Sequence, residues 1–160
     1  MNSPLRVLIL CTGNSARSQM AEALFNVRGK GRIVAESAGS RPAARVNPHA
    51  VESLAKVGID WAGHEPRGID GLEYAEWDVV LTVCDNAKEA CPIFPGHPLM
   101  VHWGMDDPAD ATGAKAERQR AFDAACALLT RRIDAMLALP LESAPVAQLQ
   151  ARITAAGQVG

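Results

Sequence analysis

The sequence predicts an α/β fold, namely a single domain with an open four-stranded parallel sheet and helices on both of its faces. Stretches typical of buried strands alternate with stretches of helical periodicity, which is the pattern of a parallel sheet covered by helices. The chain has 160 residues, the size of one domain. Its hydrophobic content of 48% is sufficient for a buried core.

The first part of the chain contains two strand–helix pairs. A continuous apolar run predicts a strand over 5–10, and apolar side chains at helical spacing predict a helix over 15–27. A second strand is predicted over 32–38. A second helix is predicted over 48–57, because Asn47 followed by proline is typical of an N-cap and a first helical position.

The later part of the chain continues the alternation. A short helix is predicted over 68–76, a strand over 77–83 and a fourth strand over 99–103. A long helix is predicted from about residue 114 to Pro140, because apolar side chains recur there at steps of three and four.

The domain is expected to span residues 1–140, with 141–160 forming a weakly helical or disordered tail.

The formal net charge of -2 gives no indication of a nucleic-acid or membrane partner. No apolar run approaches the roughly 20 residues of a membrane span, and the N-terminus does not resemble a signal peptide. We therefore expect a cytoplasmic protein, and a monomer. In a reducing compartment its four cysteines favour catalytic, metal-binding or incidental roles over a structural disulfide framework.

The most informative segment is CTGNSARS, residues 11–18, between the first strand and the first helix. Ligands of open parallel sheets bind beyond the carboxyl ends of the strands. A loop that curls into a helix N-terminus directs several amide N–H groups at an anion, and Arg17 adds a bidentate guanidinium. The same positive field predicts a nucleophilic Cys11 thiol with a lowered pKa. The predicted anion-binding residues are Thr12, Gly13, Asn14, Ser15, Ala16, Arg17 and Ser18. The alternative is a buried cysteine at a strand end and an exposed arginine in the first turn.

Two further cysteines, Cys84 and Cys91, flank a short polar segment after the third strand. Such a pair suits stepwise thiol–disulfide exchange, although the segment must loop out for the two thiols to meet. One alternative is simple packing. Another is a zinc site completed by His97 and His102, which the loose spacing and the intervening prolines disfavour. The fourth cysteine, Cys126, lies on the apolar stripe of the last helix and is interpreted as core.

The segment GMDDPA contains a candidate general acid. The proline stiffens the loop and restricts the aspartate before it, and a carboxylic acid held in this way can protonate a leaving oxygen. The alternative is a surface turn with two acidic residues, Asp106 and Asp107.

Five segments together resemble a known family: CTGNSARSQMAEA, SAGSRPA, VNPHAVESLAKVGID, VVLTVCDNAKEACPIFPG and HWGMDDPA. They are similar to the low-molecular-weight protein tyrosine phosphatases, and more closely to the arsenate reductases that share their fold. The resemblance covers about residues 5–135 and implies the phosphatase-like fold. It implies Asp107 as the acid, and Cys84 and Cys91 as the second and third members of a redox relay that starts at Cys11.

The resemblance also implies the reaction partners. The substrate is expected to be arsenate, with phosphate or sulfate as competing oxyanions, and the protein is expected to contribute to arsenic resistance. Thioredoxin or another thiol reductant is expected to restore the thiols, and no cofactor or metal is expected. Some relatives bind potassium through residues that match Asn14, Glu22 and Ser37 and an acid. Arg67 stands at the position of that acid, so no such site is expected here.

Two other departures bear on the function. The tyrosine phosphatases have aromatic residues after the Asp-Pro pair, whereas Asp110, Ala111 and Thr112 follow here, which disfavours an aryl phosphate. Ala16 stands where some relatives have a second loop cysteine. We therefore expect arsenate reduction. The alternatives are a low-molecular-weight tyrosine phosphatase that hydrolyses phosphomonoesters, and a non-catalytic module that senses oxyanions or redox state.

Overall fold

Four parallel strands form one sheet in the computed structural model, which describes residues 3–84 and 94–160. The central strand β1 (Leu5–Cys11) pairs with β2 (Ile33–Gly39) on one side and with β3 (Val79–Thr82) on the other. The outer strand β4 (Leu99–His102) pairs with β3. The predicted α/β fold with a four-stranded parallel sheet is confirmed.

The sheet is buried on both faces at its centre. Every side chain of β1 from Val7 to Leu10 is 0% exposed, and successive residues of a strand point to opposite faces. Covering elements must therefore lie on both sides, as expected for a parallel sheet. Among the largest fully buried side chains are Trp103, Phe25 and Phe122.

Four α-helices lie in the described part of the chain: α1 (Arg17–Arg28), α2 (Pro48–Lys56), α3 (Lys115–Leu137) and α4 (Val146–Ala156). None of them is both long enough and apolar enough to cross a bilayer. The start of α2 follows the predicted capping chemistry, because the Asn47 side chain accepts a hydrogen bond from the His49 amide at 2.9 Å.

The predicted helix over 68–76 is wrong. The structure has only a 3-10 turn, Leu72–Tyr74. Gly71 before it has a φ of 89°, in the left-handed region, and Ala75 after it is extended. An α-helix cannot pass through either conformation, so the turn stays short.

The C-terminal part, for which a weak helix or disorder was expected, contains α4. Its side chains Leu149, Ile153 and Ala156 are buried. The indole N–H of Trp103, the residue after β4, donates a hydrogen bond to the Ile153 carbonyl at 2.8 Å. This helix therefore contributes to the same core as the sheet.

Candidate active site

The pairing of β1 with β3 brings two cysteines to one edge of the sheet. Leu10 is the register partner of Thr82. The chain reaches Cys11 directly after the first of these residues and Cys84 two residues after the second. Both cysteines are buried. Because these ends belong to parallel neighbours, both thiols lie at the carboxyl edge, where ligands of such sheets bind.

The loop after β1 presents its amides toward Cys11. The Thr12 backbone amide acts on the Cys11 thiol in the direction that lowers its pKa. Asn14 has a φ of 51°, which curls the loop. No side chain among the described residues caps the start of α1, so the amides of its first turn keep their hydrogen-bonding capacity for an anion.

The segment 40–47 supports this loop through backbone hydrogen bonds. Its backbone N–H groups at Arg41, Ala43 and Asn47 donate to three loop carbonyls, with distances of 2.8 to 2.9 Å; the acceptors are Thr12, Gly13 and Ser15. The C=O and the following N–H of a trans peptide point in opposite directions. Carbonyls that face outward therefore turn the next amides inward.

Gly39 permits this arrangement at the end of β2. A Cβ at this position would lie 2.4 Å from the Thr12 carbonyl oxygen, closer than any side chain can approach. The sequence marks Gly39 only as the end of a strand. Neither its contact with the loop nor the role of 40–47 could be predicted without the register of β1 and β2.

A buried polar network fixes the curl at Asn14. Its side-chain amide donates to Ser18 at 2.8 Å and to Ser37 at 2.9 Å. Its side-chain oxygen accepts from Gln19 at 3.0 Å and from the Arg67 backbone N–H at 2.9 Å. Asn14 and Ser18 thus brace the loop through a bond between their side chains, whereas no sequence signal identified Gln19.

Arg17 joins the anion loop to the segment that carries the candidate acid. Its guanidinium donates to the Met105 carbonyl at 3.0 Å and lies 3.4 Å from the Asp107 carboxylate. The Asp107 side chain also accepts from the Ala109 amide at 3.0 Å. Asp107 therefore faces the anion loop, while Asp106 is exposed.

These groups line one cavity of about 610 Å³. Its wall contains Cys11, residues 12–17 of the loop, Cys84, and the three acidic residues Asp106, Asp107 and Asp110. The structure thus brings together four of the five predicted catalytic residues. Ser18 lies beneath the loop in the Asn14 network and not on this wall.

The pKa of Cys11 is raised, so the prediction of a lowered pKa is wrong for this geometry. The main cause is the hydrogen bond with Cys84, followed by burial of the thiol. The charge of Arg17 and the Thr12 amide act in the opposite direction and do not outweigh them. The Thr12 hydroxyl lies 3.5 Å from the Cys84 sulfur and completes this group.

Cys91, predicted as the third member of a relay, lies outside the described residues, as does the segment 85–93. The described residues contain no group of three or more His, Cys, Asp or Glu side chains placed to hold a metal ion. The His102 ring contacts the Thr82 hydroxyl at 2.7 Å. Cys126 is buried on α3, and burial raises its pKa, as expected of a core residue.

The residues that match a potassium site in some relatives do not fit a cation here. The Asn14 side-chain oxygen already accepts two N–H groups. The Ser37 hydroxyl donates to the Glu22 carboxylate at 2.7 Å. Arg67 directs its guanidinium to Glu36 at 2.9 Å. These oxygen atoms are therefore engaged with donors of the chain itself.

Residues 6–152 match the family model described as low molecular weight phosphotyrosine protein phosphatase. The chain is 43% identical over 118 residues to an arsenate reductase of Shouchella clausii, which covers 72% of this chain and 83% of that protein. It is 40% identical over 116 residues to an arsenate reductase of Bacillus subtilis, with the same two coverages.

Solved structures with this fold include both kinds of enzyme. An arsenate reductase in the phosphate binding state superimposes with a TM-score of 0.68 at 26% identity, covering 87% of this chain and 99% of that one. A low molecular weight protein tyrosine phosphatase from T. tengcongensis gives a TM-score of 0.69 at 26% identity, covering 81% and 95%.

Proposed function

The chain belongs to the low molecular weight phosphotyrosine protein phosphatase family, and on this premise we propose that it is an arsenate reductase that uses a Cys11–Cys84–Cys91 disulfide relay. The observation that carries the proposal is that Cys11 and Cys84 line the same cavity, together with the anion loop and Asp107. Hydrolysis of a phosphate ester needs one nucleophile and no second thiol. Reduction of an oxyanion needs two electrons, which two thiols supply when they form a disulfide.

In the first step the Cys11 thiolate attacks arsenic in arsenate bound by the loop amides and Arg17. A sulfur–arsenic bond forms, and one arsenic–oxygen bond breaks. The carboxylic acid of Asp107 gives its proton to the leaving hydroxyl, which departs as water. Asp107 lies on the wall of the cavity that the anion loop also lines, within reach of a bound oxyanion.

In the second step the Cys84 thiolate attacks the Cys11 sulfur. The electron pair of the sulfur–arsenic bond passes to arsenic, which leaves as arsenite, and a Cys11–Cys84 disulfide forms. In the third step the Cys91 thiolate attacks Cys84, which forms a Cys84–Cys91 disulfide and returns Cys11 as a thiolate. Thioredoxin, or another thiol reductant, then reduces this disulfide. Such a cycle requires a reducing compartment, and we propose the cytoplasm.

The proposal is tested by arsenate-dependent NADPH oxidation in an assay coupled through thioredoxin and thioredoxin reductase. Wild type is expected to turn over continuously. Cys84→Ser and Cys91→Ser are expected to lose turnover, because each breaks the transfer of the disulfide. Cys126→Ser, which alters a cysteine buried on α3, is the matched control and is expected to retain activity.

Mass spectrometry of alkylated protein after a single exposure to arsenate identifies the paired cysteines. A Cys84–Cys91 disulfide is expected in wild type, and a Cys11–Cys84 disulfide in Cys91→Ser. Full turnover by both Cys84→Ser and Cys91→Ser would rule out the relay. Turnover with glutathione and glutaredoxin but not with thioredoxin would keep the relay and replace the reductant.

The second candidate is a tyrosine phosphatase, favoured by the family model itself and by an amide-lined loop of a kind that also binds phosphate. It requires Cys11, Arg17 and Asp107 but neither Cys84 nor Cys91. Strong hydrolysis of p-nitrophenyl phosphate that survives loss of both cysteines, without arsenite formation, would establish it.

A further inference from the structure

We propose that the C-terminal segment (146–159) is a positioning element for the acid loop (104–107), and that Gly157 and Arg132 are the positioning residues through which it acts. The inference rests on the proposed function, because it assigns these residues to the placement of the proposed general acid. The match to the family model ends at residue 152, so Gly157 and Val159 lie beyond it. One contact joins the segment to Trp103, directly before the acid loop, and a second joins it to the loop itself.

The first contact is between Gly157 and Trp103, the residue directly before the acid loop. A Cβ at Gly157 would lie 2.2 Å from the nearest indole atom. The backbone of Gly157 is helical, with φ of -73° and ψ of -4°, so any residue can adopt its conformation. Glycine is therefore required here by the indole ring and not by the backbone.

Trp103 is held at several points around this contact. Its indole N–H donates to Ile153, one helical turn before Gly157, at 2.8 Å. Its ring packs on Phe25 of α1 with centroids 6.0 Å apart. Its backbone N–H donates to the Thr82 carbonyl at the end of β3 at 2.8 Å. The C-terminal segment thus packs against Trp103, and the backbone of Trp103 is hydrogen-bonded to the end of β3, close to Cys84.

The second contact passes through Arg132, a buried residue of α3. Its guanidinium donates to the Val159 carbonyl at 3.0 Å and to the Gly104 carbonyl at 3.2 Å. Among residues 3–84 and 94–160, no carboxylate forms an ion pair with it. Burial lowers its pKa. Within the described part of the chain, its hydrogen bonds go to these two carbonyls, so it ties the segment to the acid loop.

Arg17 is a second guanidinium that binds the same loop. It binds the Met105 carbonyl, which follows the carbonyl that Arg132 binds. The acid loop is therefore hydrogen-bonded to two guanidiniums. That of Arg17 lies at the anion site, and that of Arg132 also binds the C-terminal segment. A displacement of about 1 Å at a reacting group can cost about 100-fold in rate. Weakening the contacts between the C-terminal segment and the acid loop is therefore expected to slow the proton transfer from Asp107.

The test uses the full chain with Gly157→Ala, and Gly160→Ala as the matched control, because a Cβ at Gly160 would meet no described atom within 4 Å. Reduced protein is mixed with saturating arsenate, and the single-turnover rate of arsenite formation is measured. We expect Gly157→Ala to be about 10-fold slower, with the arsenate concentration for half-maximal rate within about 2-fold of wild type, because the loop amides are unchanged.

A double-mutant comparison separates positioning from general destabilisation. Gly157→Ala is expected to have no further effect on the rate when Asp107→Asn is already present, because the acid on which it acts is gone. A Gly157→Ala rate within about 2-fold of Gly160→Ala, or an equal fall in the Asp107→Asn background, would overturn the proposal. If Gly157→Ala does not fold, Arg132→Lys replaces it, with the exposed neighbour Arg131→Lys as its control.

The same variants distinguish failure of this inference from failure of the proposed function. If wild type forms no arsenite but hydrolyses p-nitrophenyl phosphate, the reductase assignment fails. The same loss of rate in Gly157→Ala, absent in Gly160→Ala and absent with Asp107→Asn, would then still support positioning. If wild type catalyses neither reaction, both proposals are wrong.

Discussion

The neighbouring Cys84 thiol affects the protonation state of Cys11, the proposed nucleophile, before any substrate binds. It raises the pKa of Cys11, and burial adds to this, while Arg17 pulls in the other direction. A raised pKa means that the thiol keeps its proton to higher pH than an ordinary cysteine. The proximity of Cys84 is needed for the second step of the proposed reaction. It also lowers the fraction of Cys11 thiolate, which the first step needs.

Removing Cys84 is expected to make Cys11 more reactive. In Cys84→Ala the leading cause of the raised pKa is gone and the charge of Arg17 remains, so the pKa falls and the thiolate fraction at pH 7 rises. Each unit of pKa corresponds to about a 10-fold change in that fraction. Alkylation of Cys11 by iodoacetamide, followed by mass spectrometry, is expected to be faster than in wild type.

Cys126→Ala is the control for this measurement and is expected to leave the alkylation rate of Cys11 unchanged. Slower alkylation in Cys84→Ala would mean that Cys84 donates to Cys11 and lowers its pKa. The sequence identified the residues here but gave the pKa the wrong direction. Motif chemistry accounts for the arginine and the amides, whereas the neighbouring thiol is apparent only once β1 and β3 are paired.

Among the secondary-structure elements, α2 begins with a cap that also touches the anion loop. The Asn47 side chain accepts from the His49 amide, and the Asn47 backbone N–H donates to the Ser15 carbonyl. Asn47→Ala is expected to lower the free energy of unfolding by about 1 kcal/mol, because an amide of the first turn loses its acceptor. Urea unfolding measures the change.

Asn47→Asp serves as the matched control, since aspartate accepts the same hydrogen bond. Equal losses in both variants would show that the cap is not the source of the stability. The backbone bond to Ser15 is retained in each variant, so the anion loop is expected to keep its shape.

The elements also show which signals in the sequence are reliable. The capped helix α2 and the apolar strand β1 have bounds within one or two residues of those predicted. The predicted helix at 68–76 failed because the left-handed Gly71 interrupts it. The segment 40–47 has no periodicity, so its hydrogen bonds to the anion loop could not be predicted from the pattern of its residues.

At the scale of the whole molecule, the question is whether α4 contributes to the stability of the fold. Ile153 is 0% exposed, whereas Val146 on the same helix is 65% exposed. Ile153→Ala is expected to lower the free energy of unfolding by about 2 to 5 kcal/mol. Val146→Ala, the matched control, is expected to change it by no more than about 0.5 kcal/mol.

Urea unfolding of both variants, followed by circular dichroism, provides this measurement. A small effect of Ile153→Ala would mean that α4 detaches without cost to the core. The sequence left the state of this tail open because its apolar positions are few, and their burial depends on Trp103, which lies far away in the chain. The role of Cys91 stays a prediction from the family resemblance.

The register of β1 and β3 has an evolutionary consequence. The meeting of Cys11 and Cys84 follows from the pairing of Leu10 with Thr82, and it requires no inserted segment or extra domain. Under the proposed mechanism, a phosphatase with this sheet would use the same cysteine, anion loop and acid. A substitution at the second position after β3 would place another thiol on the wall of the same cavity. The proposed relay therefore requires only point substitutions that add cysteines to this fold.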